Sequence, residues 1–129
     1  EKTAYFNIIY INNLIKISQY LNNSTKIYNQ DYKKTLEKTK DGDFVFLDPP
    51  YIETMKYINY NKQENFTYFL EELLQEVKKL DAKGVKWMMT QNDSKLIRQT
   101  FKDYLIKSYK VYRFHTNSYT KELIIMNYK

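Results

Sequence analysis

The 129-residue chain contains no cysteine, two prolines and two glycines, and each shortage limits what the protein can be. The lack of cysteine rules out disulfide bonds and cysteine-ligated zinc, and it fits a reducing compartment. No apolar run approaches the ~20 residues that a membrane-spanning helix needs, and no signal-peptide pattern opens the chain. We therefore expect no membrane partner, and we expect the few prolines and glycines to mark particular turns.

The chain is rich in charge and in tyrosine. It has 21 Lys and Arg against 15 Asp and Glu, a net charge of +6, and 14 tyrosines. A basic surface favours polyanions, nucleic acid first, but a compositional bias towards lysine would give the same charge. Charge alone leaves both interpretations open. With 43% apolar and 28% charged residues, the composition is that of one folded domain, which we expect to span residues 1–129.

Hydrophobic spacing predicts three of the helices. The first has its apolar face within residues 11–21, and a short polar helix is predicted within residues 32–43. The longest has apolar positions at helical intervals over residues 66–80. Asn65 is suited to cap the start of this helix, and Gly84 is suited to close its end.

Short runs of apolar, β-branched and aromatic residues predict the strands. The continuous apolar run at 44–47 indicates a strand covered on both faces, as in a parallel sheet. Strands that alternate with helices and end in an antiparallel hairpin predict an α/β fold with a mixed sheet. The predicted strands are 26–29 ("KIYN"), 44–47 ("FVFL"), 85–90 ("VKWMMT") and the hairpin partners 106–114 ("IKSYKVYRF") and 122–128 ("ELIIMNY").

Both prolines fall directly after the strand at 44–47, in the sequence Asp48, Pro49, Pro50, Tyr51. In open α/β sheets, ligands bind beyond the carboxyl ends of the strands. Prolines stiffen the backbone, so the Asp48 carboxylate and the Pro49 carbonyl form a rigid pair of acceptors that suits a planar exocyclic amine. Tyr51 adds a flat face for stacking, and together they suit a base held out of its duplex. Taken alone, these residues also fit a purely structural end to the strand.

Three segments together resemble the Dam-type, or D12, class of adenine-specific DNA methyltransferases. Residues 30–51, from "QDYKK" to "DPPY", resemble the part of that class that joins the site for the cofactor's adenine to the catalytic loop. Residues 84–93 ("GVKWMMTQND") resemble its strand that ends in a Ser-Asn-like turn, and residues 118–128 ("SYTKELIIMNY") resemble its closing strand. The resemblance keeps the motif order of the class and covers residues 12–129.

The resemblance implies methyl transfer from S-adenosylmethionine to the N6 amine of a flipped adenine in double-stranded DNA, on a partial Rossmann-like methyltransferase fold. Asp48 and the Pro49 carbonyl would accept the two N–H groups of the amine, and Tyr51 would stack on the base. Asp31, followed by Tyr32, would hydrogen-bond the cofactor's adenine, and Asp48 would also contact the cofactor. No metal is implied, because catalysis would rest on positioning and electrostatic support.

The chain departs from the class in what it lacks. The class has a glycine-rich loop for the methionine end of the cofactor, whereas Gly42 and Gly84 are the two glycines here and neither follows a first strand. The target-recognition segment is also missing, unless residues 1–11 are its tail. We therefore expect a C-terminal part of a methyltransferase, inactive alone. The missing half or a second copy of the chain would pair with the open strand at 44–47.

Other interpretations remain open from the sequence. RNA guanine-N2 methyltransferases can carry the same four residues, and a non-catalytic DNA-binding remnant or subunit would keep the fold without the cofactor. The structural alternatives to ligand roles are a helix cap for Asp31, a turn at Asn92 and a loop position for His115. Asp93 or Ser94 is suited to cap a further helix whose apolar residues are Leu96, Ile97 and Phe101. The expected setting is the cytoplasm, bacterial or viral in origin, with access to DNA and a role in restriction-modification.

Overall fold

The computed structural model describes residues 8–51, 63–114 and 116–129, which fall into two compact units. The first unit ends at Asp31 and contains helix α1 (Ile8–Ser24), as the apolar spacing predicts. The second unit runs from Tyr32 to Lys129 and contains the other described elements. In chain order these are α2 (Tyr32–Leu36), β1 (Phe44–Leu47), α3 (Gln63–Ala82), β2 (Lys86–Asn92), α4 (Lys95–Thr100), β3 (Leu105–Arg113) and β4 (Ser118–Met126).

Four strands of the second unit form one mixed sheet in the order β1-β2-β4-β3. Strand β1 runs parallel to β2, and β4 is antiparallel to both β2 and β3. The predicted α/β fold, with a mixed sheet and a C-terminal antiparallel hairpin, is confirmed at this level. Because β1 stands first in the order, it has a strand neighbour on only one side within the described sheet.

The core lies on one face of this sheet. Side chains alternate between the two faces of a strand, so every second residue of β2 and β4 points into the core. A fully buried side chain of this kind contributes about 1.5–3 kcal/mol, and the packing therefore fixes the two central strands. The strand residues Trp87, Met89, Leu123 and Ile125 are buried together with Leu36, Leu70, Leu73, Val77, Leu80, Val85, Ile97 and Phe101.

Gly84 ends α3, as predicted. Its φ is 74°, its N–H donates to the Asp81 carbonyl at 3.0 Å, and the N–H of Val85 donates to the Leu80 carbonyl at 3.0 Å. This pair of bonds is the Schellman motif, and it satisfies carbonyls that the helix leaves unpaired. Gly84 thus adopts a left-handed conformation that side-chain-bearing residues rarely take, so the turn favours glycine at this position.

Two predictions about local structure are wrong. Helix α3 already includes Gln63, so Asn65 lies inside the helix and is not its N-cap. Residues 26–29 form no strand. The β propensity of that run is not sufficient, because a strand needs a hydrogen-bonded neighbour and a face to bury. Residues 52–62 and His115 lie outside the described residues.

Two of the predicted strands also differ in detail. Strand β2 extends beyond Thr90, because Gln91 and Asn92 continue the ladder with β4. Within the described structure β1 is covered on one face, not on both, since Phe44 and Phe46 are 55% and 53% exposed. No described helix combines the length and the apolar character needed to cross a membrane.

Candidate active site at the carboxyl ends of the parallel strands

The turn after β1 lies where the two parallel strands end. Leu47, the last residue of β1, is paired with Met89 of β2. The next residues along these strands are Asp48 and Thr90, and the Thr90 hydroxyl donates a hydrogen bond of 2.6 Å to Oδ1 of Asp48. Asp48 is exposed, and a carboxylate offers about four acceptor positions. Thr90 therefore orients the Asp48 side chain while leaving it able to accept hydrogen bonds from a ligand.

Strand β2 also contacts the proline step. Gln91 is fully buried, and its Nε2 donates a long hydrogen bond of 3.4 Å to the Pro50 carbonyl. Its Oε1 accepts a bond of 3.0 Å from the backbone N–H of Asn92, which fixes the orientation of the amide. Two successive residues of β2 thus contact Asp48 and Pro50, with Pro49 half-buried between them. The proline carbonyls act only as acceptors, because proline has no N–H.

Tyr51 is held by a buried carboxylate of β4. The Tyr51 hydroxyl donates a bond of 3.1 Å to Oε2 of Glu122, and the Tyr109 hydroxyl donates to the same oxygen at 3.0 Å. Arg113 forms an ion pair with Oε1 of Glu122. Glu122 is only 6% exposed, and burying a carboxylate is unfavourable unless it is paired and hydrogen-bonded. We call these four residues, Tyr51, Tyr109, Arg113 and Glu122, the Glu122 cluster.

The electrostatics of the cluster favour a neutral Tyr109. Burial raises the pKa of Tyr109 above its ordinary value, and the Tyr51 and Asp48 side chains act in the same direction. The Arg113 guanidinium acts in the opposite direction without reversing the shift. Tyr109 therefore remains an O–H donor to Glu122 at physiological pH. The turn after β1 and the Glu122 cluster are joined directly, because Tyr51 belongs to both.

The sequence predicts a turn at Asn92 and a helix cap at Asp93 or Ser94, and of these two residues Ser94 is the cap. Asn92 is the last residue of β2, is 7% exposed and pairs with Glu122 in the ladder. Its Oδ1 is buried and has no hydrogen-bond partner among the described residues. Asp93 forms a bidentate ion pair with Arg98, while Ser94 caps α4 by accepting from an N–H of that helix. The buried Asn92 oxygen is an acceptor that a bound ligand could satisfy.

The residues predicted for the cofactor's adenine lie on either side of the unit boundary. Asp31 is the exposed last residue of the first unit, and Tyr32 is half-buried at the start of α2. The residues from Asp48 to Tyr51 are brought together with β2 and β4 inside the second unit, whereas the roles of Asp31 and Tyr32 stay predictions. Within the described ranges no group of three or more His, Asp and Glu side chains is arranged to hold a metal ion.

Sequence reasoning missed the side chains that support the turn. The sequence predicts a strand that ends at Thr90 and a turn that includes Gln91, and it predicts the hairpin strands without a role in the site. One signal was present: Glu122 is a charged residue directly before the apolar run of β4, where a charge needs a partner. Its partners Tyr109 and Arg113 come from the facing strand β3, and the register of a hairpin is not readable from composition.

Comparison with known proteins gives two results. A family model described as "D12 class N6 adenine-specific DNA methyltransferase" matches residues 1–116. The type II methyltransferase M1.LlaDCHI of Lactococcus lactis subsp. cremoris is 38% identical over 124 residues, an alignment that covers 87% of this chain and 43% of that protein. The chain thus spans less than half the length of this relative.

Proposed function

The chain belongs to the D12 class of N6 adenine-specific DNA methyltransferases, and from this premise we propose that the whole protein methylates adenine in double-stranded DNA. The reaction is transfer of a methyl group from S-adenosylmethionine to the exocyclic N6 amine of an adenine flipped out of the duplex. The catalytic element is the turn Asp48, Pro49, Pro50, Tyr51. Asp48 and the Pro49 carbonyl act on the amine, and Tyr51 acts on the ring.

The observation that carries this proposal is the position and orientation of the Asp48 carboxylate. The carboxylate is exposed at the carboxyl end of a parallel strand, and one oxygen is fixed by Thr90 at 2.6 Å. A carboxylate held in one orientation can accept an N–H of the amine without first losing side-chain freedom. As the amine nitrogen gains positive charge during transfer, the negative charge of Asp48 stabilises it. These are the two properties that an acceptor for a reacting amine needs.

Pro49, Pro50 and Tyr51 complete the recognition of the base. The Pro49 carbonyl accepts the second N–H of the amine, which leaves the nitrogen lone pair directed away from both acceptors. The double proline, with Gln91 bonded to the Pro50 carbonyl, keeps this geometry stiff. The Tyr51 ring stacks on the adenine, an interaction that contributes about 1–3 kcal/mol per base.

The cofactor in this proposal is S-adenosylmethionine, which supplies the methyl group when bound. The chemistry of the acceptors fits its adenine end and its reacting end: Asp31, with Tyr32 beside it, would accept from the adenine amine, and Asp48 would lie near the methyl. The two glycines do not fit the methionine end, because Gly42 is in the turn before β1 and Gly84 closes α3. That end is held, in our proposal, by the rest of the whole protein.

The wider context of the protein is also proposed. The mixed sheet is part of a Rossmann-like methyltransferase fold, and β1 pairs on its free side with the rest of the protein or with a second copy of the chain. The net charge of +6 supports DNA as the polyanionic partner, and Lys107, Lys110 and Lys121 are exposed on the hairpin. The protein works in a cytoplasm, bacterial or viral in origin, as the methyltransferase of a restriction-modification system.

The test is direct identification of the methylated nucleoside. Protein expressed from its complete gene is incubated with double-stranded DNA and methyl-labelled S-adenosylmethionine, and the DNA is digested to nucleosides. We expect the label in N6-methyldeoxyadenosine. Label in guanine of an RNA substrate, or DNA binding without any transfer, would overturn the proposal in favour of the RNA enzyme or the non-catalytic subunit respectively.

A further inference from the structure

We propose that Glu122 is a positioning residue whose carboxylate fixes the ring of Tyr51 for stacking on the target base. The proposal rests on the proposed function, and it adds a residue of β4, far along the chain from the catalytic turn. Tyr51 touches the base, whereas Glu122 acts through Tyr51. The contact that carries the inference is the 3.1 Å hydrogen bond from the Tyr51 hydroxyl to Oε2 of Glu122.

The bond to Glu122 gives Tyr51 a second point of attachment. The backbone before the ring is already held, because Pro50 accepts a hydrogen bond from the buried Gln91. The ring itself can still rotate about its two side-chain torsions unless its far end is also held. Glu122 binds the hydroxyl at that far end. The plane of the ring is thereby set before a base arrives, which avoids the loss of freedom on binding that an unfixed ring would incur.

Glu122 is suited to this role because it is itself immobile. It lies in β4, the strand paired on one side with β2 and on the other with β3. Its ladder partners are Asn92 and Tyr109, and its side chain is 6% exposed. Tyr109 donates to the same oxygen as Tyr51, and Arg113 pairs with the other. An acceptor fixed by a central strand and by two neighbouring side chains holds Tyr51 more firmly than a surface residue would.

Stability alone does not explain a carboxylate at this position. A buried ion pair is often no more stabilising than packed apolar side chains of similar volume. The residues that follow Glu122 in β4 are Leu123, Ile124 and Ile125, so an apolar residue would continue the same run. An apolar side chain could not accept from the Tyr51 hydroxyl, from the Tyr109 hydroxyl or from the Arg113 guanidinium, and of these three donors only Tyr51 belongs to the turn after β1. Accepting from Tyr51 is the function that we assign to Glu122.

The experiment is a double-mutant cycle on the protein expressed from its complete gene. Glu122→Gln keeps the size of the side chain and removes its charge. We expect kcat/KM for DNA to fall about tenfold, mainly through kcat, because the neutral amide oxygen of Gln accepts from the Tyr51 hydroxyl more weakly than a carboxylate does, by roughly one factor of ten. Tyr51→Phe alone should give a similar loss. In the Tyr51→Phe background, Glu122→Gln should add less than about a twofold loss, because the bond is already absent.

The matched control is Tyr104→Phe, which removes another tyrosine hydroxyl bonded to a carboxylate, at 2.6 Å from Asp81. It should leave kcat/KM unchanged. An equal tenfold loss from Glu122→Gln in both backgrounds would show that Glu122 does not act through Tyr51. If Glu122→Gln does not fold, Tyr51→Phe decides, and unchanged activity in that variant overturns the inference. Either result leaves the proposed function standing as long as the unmodified protein methylates adenine.

Discussion

Two carboxylates near opposite ends of β2 each accept a hydrogen bond from a tyrosine, yet they hold different parts of the molecule. Near the amino end, Oδ1 of Asp81 accepts from the Trp87 indole and the Asn127 amide, both at 2.8 Å. Its Oδ2 accepts from the Tyr104 hydroxyl at 2.6 Å. At the carboxyl end, Glu122 accepts from Tyr51 and from two residues of β3.

Asp81 and Glu122 differ in where their hydrogen-bond donors lie in the fold. The donors to Asp81 include Trp87, which is fully buried, and Tyr104, whose ring packs edge-on against Trp87 at 4.8 Å. Asp81 thus joins groups that the core already holds. Glu122 joins β3 and β4 to Tyr51, which sits in the turn that follows an exposed carboxylate. Similar hydrogen-bond chemistry therefore serves the fold at one end of the strand and, in our proposal, the active site at the other.

Of the substitutions that distinguish the two ends of β2, Asp48→Ala is expected to have the largest effect on catalysis. Removing the positioned acceptor should lower kcat by about a hundred- to a thousandfold, as loss of one polar group at a reacting centre typically does. The thermal unfolding midpoint should hardly move, because Asp48 is exposed. Steady-state methylation assays and calorimetry measure the two quantities. The control is Asp103→Ala, another exposed carboxylate; near-normal turnover of the Asp48→Ala enzyme would refute the role of Asp48.

The next effect is expected from Tyr51→Ala. Loss of base stacking removes about 1–3 kcal/mol of binding to the flipped base, so activity should fall by roughly tenfold to a hundredfold beyond the loss expected for Tyr51→Phe. Tyr51→Phe should retain more activity than Tyr51→Ala, because it keeps the ring and loses only the bond to Glu122. Kinetics on DNA with both variants test this order. Equal losses for Phe and Ala would show that the hydroxyl, and not the ring, is what the enzyme needs.

A change at the other end of β2 should affect stability and not turnover. Asp81→Ala leaves the buried Trp87 N–H without its acceptor, which costs about 1–3 kcal/mol in the free energy of unfolding. Urea denaturation measures this loss, and kcat measured on the folded protein should stay unchanged. If Asp81→Ala lowered kcat while unfolding at the same urea concentration as the unmodified protein, the contrast between the two carboxylates would be wrong.

The sequence predicts the elements better than the contacts between them. The period of 3.6 residues in α3 and the glycine at position 84 give a helix and its end, because both are local signals. The motif after β1 likewise predicts where Asp48 lies, since the carboxyl ends of parallel strands meet at one edge.

The supporting contacts could not be predicted in the same way. Tyr51 and Glu122 are 71 positions apart, and their bond depends on the order of strands and on the register of the hairpin. The strand expected at 26–29 fails for the same reason, because strand formation is decided by a partner elsewhere in the chain. Local chemistry thus predicts the turn that we propose as catalytic, whereas the residues that hold this turn are known only from the pairing of strands in the sheet.

The smallest effect is expected at Asp93, which follows β2 at the same end as Glu122. Asp93 sharpens the comparison of Asp81 with Glu122, because we expect this carboxylate to stabilise the fold and to have no part in catalysis. The Arg98 guanidinium bonded to Asp93, with a further bond from Ser108, holds the pKa of Asp93 below its ordinary value of 3.8. A lowered carboxyl pKa stabilises the folded state above pH 3.8, and this contribution is lost as pH falls through the folded-state pKa.

Asp93→Asn should therefore lower the urea midpoint slightly at pH 6, by less than Asp81→Ala does, since exposed ion pairs contribute little. The difference from the unmodified protein should shrink when the titration is repeated below pH 3.8. A difference that stays constant over this range would mean that the charge of Asp93 is not what stabilises the fold, and a fall in kcat would place Asp93 with Glu122 in the active site.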